Sequence, residues 1–471
     1  MDLNDFRQFG HQIVDWMADY LKTVENYPVK SQVRPKEIFD QLPLEPPIRG
    51  EDFESIFNDF EEIILPGITH WQSPNFFAYF PANSSYASIL AEMLMTALGA
   101  QCMSWETSPA ATELEERVME WLRDMIGLPK DFTGVIQDTA STSTICSLLT
   151  AREKLSDYEI NLTGMNNKGI LTTYCSTETH SSIEKAVKII GTGNANLQKI
   201  PVDENYALDP DALIEAIDSD IKNDKKPLAV IATIGTTGST AIDPLKEIGD
   251  ICSKHKIWLH VDAALAGTAL LLPEYRWMIE GIENADTFVF NPHKWMFTNF
   301  DCSAYFIKDP EALVRTFEIL PEYLKTKAEG VKNFRDWGLQ LGRRFRALKL
   351  WFVIRNLGVE GLQKKVRYHI SLANSLSKEI EKSPNFELLA PVPLNTVCFR
   401  YHPPTIDDDE ELNQLNEKLL HQINKTGKLY MTHTKLNGKY TLRMVTGQTY
   451  VQEKHVNQAW SRIQKESQKL L

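Results

Sequence analysis

Apolar residues recur near the N-terminus at three- and four-residue spacing. Phe6, Phe9, Ile13, Met17 and Tyr20 form the stripe, and Leu3, Trp16 and Leu21 widen it. This pattern predicts an amphipathic helix. Pro28, Pro35, Pro43, Pro46 and Pro47 then punctuate residues 27–50. Prolines at that density exclude regular structure, so the stretch is expected to run extended over another surface. A helix followed by such a strap suits the embrace of a second subunit; an arm folded back on its own domain fits the same pattern. From about residue 86 the period changes. Short apolar runs at 134–136, 170–174, 228–234, 257–261, 287–290 and 303–307 alternate with helical stretches such as 181–190, 209–222 and 244–255. Alternation of this kind predicts an α/β domain with a mainly parallel sheet, whose ligands sit at the carboxyl ends of the strands. Beyond about residue 352 the texture is that of a small α+β domain. It has strands at 386–389 and 395–401, a helix at 407–425, strands at 430–434 and 439–445 flanking Asn437-Gly438, and a last helix from about Val451. That dipeptide is a strong hairpin signal. The expected organisation is a helical arm and dimerisation segment (1–85), a large domain (86–351) and a small C-terminal domain (352–471).

Composition narrows the class. The chain has 471 residues, 43% hydrophobic and 24% charged, which is the balance of an ordinary globular protein. A net charge of −13 leaves no basic stripe, so neither nucleic acid nor an anionic membrane is an expected partner. The six cysteines include no CxxC pair, and the first residues are charged, without an apolar signal core. The longest apolar run, around 269–273, falls far short of the roughly 20 residues of a membrane span. A soluble, cytoplasmic protein with reduced thiols is expected, and no metal.

The ends of the predicted strands carry the chemistry. Asp262 follows 257–261, and Asn291-Pro292-His293-Lys294 follows 287–290. His180 closes the loop after 170–174, and Gly235-Thr236-Thr237-Gly238 follows 228–234. The hydroxyl-rich turn Thr139-Ala140-Ser141-Thr142 opens a helix whose free N–H groups suit a phosphate. A lysine beside a buried strand has a lowered pKa and can act as an amine nucleophile. A buried aspartate needs a cationic partner, which a protonated pyridine nitrogen would supply. Singly, each feature has a plainer account: an N-cap, a snorkelling lysine, a salt-bridged aspartate. Together they converge on pyridoxal 5′-phosphate.

The sequence resembles the pyridoxal-phosphate group II decarboxylases, most closely the aromatic L-amino acid decarboxylases, over essentially its whole length. The resemblance rests on Pro66-Gly67-Ile68-Thr69-His70-Trp71, Phe76-Phe77-Ala78-Tyr79-Phe80-Pro81 and Ser108-Pro109-Ala110. It rests also on His260-Val261-Asp262-Ala263-Ala264, Asn291-Pro292-His293-Lys294-Trp295, Phe300-Asp301-Cys302-Ser303 and Leu341-Gly342-Arg343-Arg344-Phe345-Arg346. It implies a fold-type I, aspartate aminotransferase-like large domain with a seven-stranded sheet, and a homodimer that decarboxylates an aromatic L-amino acid to its arylalkylamine. By the same resemblance, Lys294 is the Schiff-base lysine, Asp262 the partner of the pyridine nitrogen, Ala264 the residue under the ring and His180 the stacking histidine. Thr139, Ala140, Ser141, Asn291 and His293 would hold the phosphate, and Thr237 would lie near the cofactor. Trp71, Tyr79, Phe80, Pro81, Ala82 and Met103 would line the substrate pocket, with partner-subunit residues near 101–103 completing it. Tyr323, in a charged lid spanning 320–337, would return the proton to Cα.

Related oxygen-using aldehyde synthases carry phenylalanine at the Tyr323 position or, in insects, asparagine at the His180 position; this chain has neither change. The alternatives are a decarboxylase of histidine or glutamate, such a synthase, or a silent homologue, which would lack Lys294 or Asp262. Leu265, Met103 and Ala82 depart from the family's usual tyrosine, aromatic residue and threonine, and so reshape the expected pocket. Arg443 is expected to be structural, and Arg343, Arg344, Arg346 and Lys349 to form a salt-bridged face.

Overall fold

The computed structural model describes residues 1–166, 168–319 and 330–470. The chain divides into two compact units: Met1–Pro81, Leu372–Leu389 and Val397–Leu471 in one, Ala82–Ser371 and Ala390–Thr396 in the other.

The larger unit is built on a seven-stranded sheet. Its strands are β1 (Thr133–Gln137), β2 (Leu171–Ser176), β3 (Leu197–Ile200), β4 (Lys226–Thr233), β5 (Trp258–Asp262), β6 (Thr287–Phe290) and β7 (Ser303–Ile307). They are ordered β1-β7-β6-β5-β4-β2-β3. The pairs from β3 to β6 are parallel, and β7 runs antiparallel to both β6 and β1. Six strands stand where apolar runs predict them, because strands covered on both faces read as nearly continuous hydrophobic sequence. β3 escapes that logic. It is a four-residue edge strand with half-buried Gln198 and Lys199 at its centre.

Helix Ala140–Leu155 lies across β4 to β7. Helix Pro210–Lys222 starts where Asp209 accepts the amides of Asp211 and Ala212, with Pro210 in the first turn. Two glycines permit close approaches behind the strand ends. A Cβ on Gly235, at φ +84°, would lie 2.7 Å from Ala266 Cβ, and one on Gly267 would lie 2.3 Å from Phe290 Cβ.

In the smaller unit the predicted first helix is Leu3–Thr23, capped by Asp2. Its stripe meets other aromatic rings, with Phe9 on Phe53 at 4.5 Å and Trp16 on Phe60 at 5.3 Å, yet none of its residues is buried. The proline-rich stretch runs irregularly as expected, with one short 3₁₀ turn at Phe39–Gln41. It is anchored where the Val29 amide donates to Gly427 O and the His70 amide donates to Val29 O, both at 2.8 Å. The C-terminal residues supply β8 (Phe386–Leu388), β9 (Thr396–Tyr401), β10 (Thr432–Leu436) and β11 (Lys439–Val445), in order β10-β11-β9-β8. Helices Asp409–Lys425 and Glu453–Ser467 pack on one another, the first also on β11. Among the described residues no helix is long and apolar enough to cross a membrane.

Candidate active site

The parallel strands β4, β5 and β6 end level: Thr233 lies opposite Asp262, and Asp262 opposite Val289. Beyond them the backbone stays knitted. Ile234 N donates to Asp262 O, Ala263 N to Val289 O and Asn291 N to Ala264 O, each at 2.9 Å. Asp262 is thus held at the carboxyl edge, buried, its Oδ1 accepting the Ala264 amide at 3.0 Å. Among the described residues no basic side chain forms an ion pair with it. Ala264 is half-buried beside it, whereas Leu265 is fully buried.

Lys294 sits in the single turn Pro292–Trp295 that follows β6, half-buried. Sequence reasoning missed what holds that turn. Asn83 is buried, donates from Nδ2 to Lys294 O at 2.7 Å and from its amide to His293 O at 3.1 Å. His293 Nδ1 accepts the Cys302 amide at 2.8 Å, and burial pushes the ring's pKa down to about 3, so it is neutral. Asn291 is buried too, and its Oδ1 has no hydrogen-bond partner among the described residues.

The hydroxyl-rich turn lies where β1 passes into helix Ala140–Leu155. Thr139 is the N-cap, its Oγ1 accepting the Thr142 amide at 3.4 Å, and Ala140 and Ser141 form the first turn. A buried pair secures β1 from behind. Arg343 Nη2 lies 2.6 Å from Glu115 Oε1 and donates to Ile136 O, while Glu115 Oε1 accepts the Ile136 amide.

His180 stands just before helix Ser182–Ile189 and is exposed. Its Nδ1 accepts the Ser182 amide at 3.1 Å, so the neutral ring carries its proton on Nε2. Desolvation lowers its pKa, the Lys294 charge lowers it further and the Asp262 charge opposes both. His180 therefore senses both Lys294 and Asp262. Thr237 is exposed in the loop after β4.

The aromatic residues expected to receive substrate lie in the smaller unit. Trp71 stacks on Tyr79 at 5.7 Å, the Tyr79 and Tyr430 hydroxyls are 3.2 Å apart, and Pro81 is buried. Arg443 is buried with its guanidinium 4.6 Å from the Phe80 ring and Nη1 donating to Tyr79 O at 2.7 Å, a structural arrangement. Ala82 and Met103 are half-buried residues of the larger unit. Tyr323 and the rest of 320–329 lie outside the described residues. The four clustered cations are all paired: Arg343 with Glu115, Arg344 and Lys349 with Glu92, and Arg346 with Asp301.

The pyridoxal-dependent decarboxylase conserved domain matches residues 35–402, well over half of the sequence. The chain belongs to that family. It is 44% identical to a phenylacetaldehyde synthase of Arabidopsis thaliana, over 100% of this chain and 97% of that protein. It is 42% identical to tyrosine decarboxylase 4 of Petroselinum crispum, over 100% of this chain and 95% of that one. The crystal structure of Catharanthus roseus tryptophan decarboxylase in complex with L-tryptophan superposes with a TM-score of 0.94 at 38% identity, covering 100% of this chain and 99% of that one. A fold-type I architecture and a pyridoxal-phosphate-dependent carboxy-lyase activity follow.

The decarboxylase's own residues fit the cofactor. A buried carboxylate that forms no ion pair among the described residues, Asp262, is what a pyridinium nitrogen requires. The unpartnered Asn291 Oδ1 and the free amides that open a 16-residue helix are donors and acceptors awaiting a polar ligand.

Proposed function

We propose that this decarboxylase removes the α-carboxyl group of an aromatic L-amino acid (L-DOPA, tyrosine, tryptophan or 5-hydroxytryptophan) and releases the arylalkylamine and carbon dioxide. What supports the reading is the placement of His180, Asp262 and Lys294 after or at the carboxyl ends of the parallel strands β2, β5 and β6, with His180 sensing both charges. Pyridoxal 5′-phosphate, when bound, supplies a protonated ring that accepts the electron pair left by the departing carboxyl group. Asp262 holds the proton on the ring nitrogen. Lys294 Nζ would hold the cofactor at its aldehyde carbon. The amides of Ala140 and Ser141, with Thr139, Asn291 and His293, receive the phosphate; Ala264 and His180 border the ring, and Thr237 lies near it. His180 Nε2–H faces the substrate carboxylate and orients the bond that breaks. Tyr323 returns a proton to Cα. Trp71, Tyr79, Phe80, Pro81, Ala82 and Met103 are assigned to the aromatic ring of the substrate on the family resemblance.

A homodimer belongs to the same reading. Helix Tyr86–Leu98 leaves Tyr86, Leu90, Met93, Leu94 and Leu98 exposed, and Leu3 and Phe6 of the first helix are exposed as well. Apolar faces of that extent call for a partner surface, and a second copy of the chain supplies it. The buried thiols suit a cytoplasmic location.

The test is a panel of aromatic and non-aromatic L-amino acids, followed for carbon dioxide, amine and oxygen. Amine from the aromatic members without oxygen uptake is expected. Silence on them, or oxygen uptake with aldehyde formation, overturns the reading.

A further inference from the structure

Beneath the strand ends runs a buried polar chain that the reaction outlined above does not use. Trp258 Nε1 donates to Ser147 Oγ at 2.9 Å, and Ser147 Oγ lies 2.7 Å from Thr287 Oγ1. Thr287 Oγ1 is 2.9 Å from His260 Nδ1, and His260 Nε2 is 3.1 Å from Thr144 Oγ1. Thr144, Ser147, His260 and Thr287 are all fully buried. Burial takes the His260 imidazole down to a pKa of about 4, so it is neutral and can donate at one nitrogen while accepting at the other. With each hydroxyl donating onward from the indole N–H, His260 carries its proton on Nε2 and every link is satisfied.

The elements so joined are the ones that matter. Thr144 and Ser147, one turn apart, belong to the helix opened by Thr139-Ala140-Ser141. His260 shares a face of β5 with Asp262. Thr287 lies opposite His260 at the start of β6, the strand that leads to Lys294. Apolar side chains could fill this space without the desolvation that buried polar groups cost. What hydrogen bonds add is direction and a single register.

We propose that His260 is a positioning residue for the decarboxylation: by bridging Thr144 and Thr287 it fixes the spacing between the phosphate-binding amides, Asp262 and Lys294. The inference rests on the roles given to those residues in the proposed function. Its test compares Thr144→Val, Thr287→Val, His260→Leu and His260→Gln with the natural enzyme. Each is assayed for cofactor dissociation constant by fluorescence titration of the apoenzyme, for kcat and KM, and for thermal unfolding.

Disrupting one link of a coupled buried network is expected to weaken cofactor binding about tenfold. It should lower kcat by about as much while KM stays within about twofold, since the register rather than the substrate contacts is lost. His260→Gln, which keeps a donor near the Nε2 position, should recover part of both losses relative to His260→Leu. Adding Thr287→Val to His260→Leu should then cost almost nothing further. Folded Thr287→Val and Thr144→Val with unchanged cofactor affinity and kcat would overturn the inference. So would losses that track only the unfolded fraction. If His260→Leu does not fold, the two valine variants decide the matter alone. Failure of the substrate reading shows instead as a natural enzyme inactive on the aromatic panel, and the cofactor titration remains readable.

Discussion

Lys294 and Asp262 differ in what their removal takes away. In the proposed function Lys294 anchors the cofactor, so for Lys294→Ala amine release should fall to background and the visible absorbance of the purified protein should disappear. A substantial residual rate would remove Lys294 from the chemistry. Asp262→Asn keeps the shape and the Ala264 contact but removes the negative charge that the proposed function sets against the ring nitrogen. Loss of such preorganised electrostatic stabilisation costs about 10²–10³ in kcat, with cofactor still bound, and a kcat within threefold of the natural enzyme would contradict the assignment. Both residues stood out in the sequence because an ionisable side chain at, or within four residues of, the end of an apolar strand is conspicuous. Asn83 was not, since its partner carbonyl lies 211 positions away and an asparagine followed by serines reads as a loop. His260 was visible only as part of a motif; its meaning depends on Thr144, 116 positions earlier.

Among the elements, strands covered on both faces announced themselves and the edge strand β3 did not. The hairpin shows a subtler limit. Strands at 430–434 and 439–445 were expected, and the first is observed at Thr432–Leu436. The Asn437-Gly438 turn, with φ of 49° and 79°, pairs Leu436 with Lys439 and thereby sets the register. Tyr430 instead bridges to Phe76, a neighbour from the far end of the sequence. Helix Tyr86–Leu98 carries the prediction at this scale. Its exposed Leu90, Leu94 and Leu98 follow one another at four-residue spacing along one face. If that face meets a second copy, Leu94→Asp places a charge in an apolar contact and should convert the dimer to a monomer in light scattering, with loss of activity. A Leu94→Asp variant that remains dimeric and active would move the interface elsewhere.

The whole molecule joins segments that the linear sequence keeps apart. The N-terminal residues and the C-terminal tail form one compact unit, tied by Val29 to Gly427, Tyr79 to Tyr430 and Arg443 to Tyr79. No local pattern marks such pairings, because each depends on a partner some 350 positions or more away.

Burial on this scale also sets how stability responds to acid. Burial pushes His260 down to about 4, and His293 and His369 to about 3, from an ordinary 6.5. Between pH 6.5 and 4 the unfolded chain therefore binds three protons that the folded chain refuses. Asp243 works the other way: burial raises it to about 7 from 3.8, so the folded chain keeps one proton that the unfolded chain releases. Among the smaller displacements, His70, His180 and His455 downward oppose Glu178, Asp286 and Asp336 upward, while carboxylates held low by hydrogen bonds and cations, such as Glu92, Asp301 and Asp309, add to the unfolded state's excess as the pH falls toward 4. The unfolded state thus holds about two extra protons, and stability should fall with decreasing pH by up to about 2.7 kcal/mol per unit near pH 5. Urea unfolding at fixed protein concentration between pH 7.5 and 4.5 measures this directly. His369→Gln, which keeps an acceptor for the Trp295 indole N–H now 3.0 Å from Nδ1, should reduce the slope by about one proton, or about 1.4 kcal/mol per unit. A flat profile in the natural enzyme, or an unaltered slope in the variant, would mean that these imidazoles reach solvent and carry charge in the folded state.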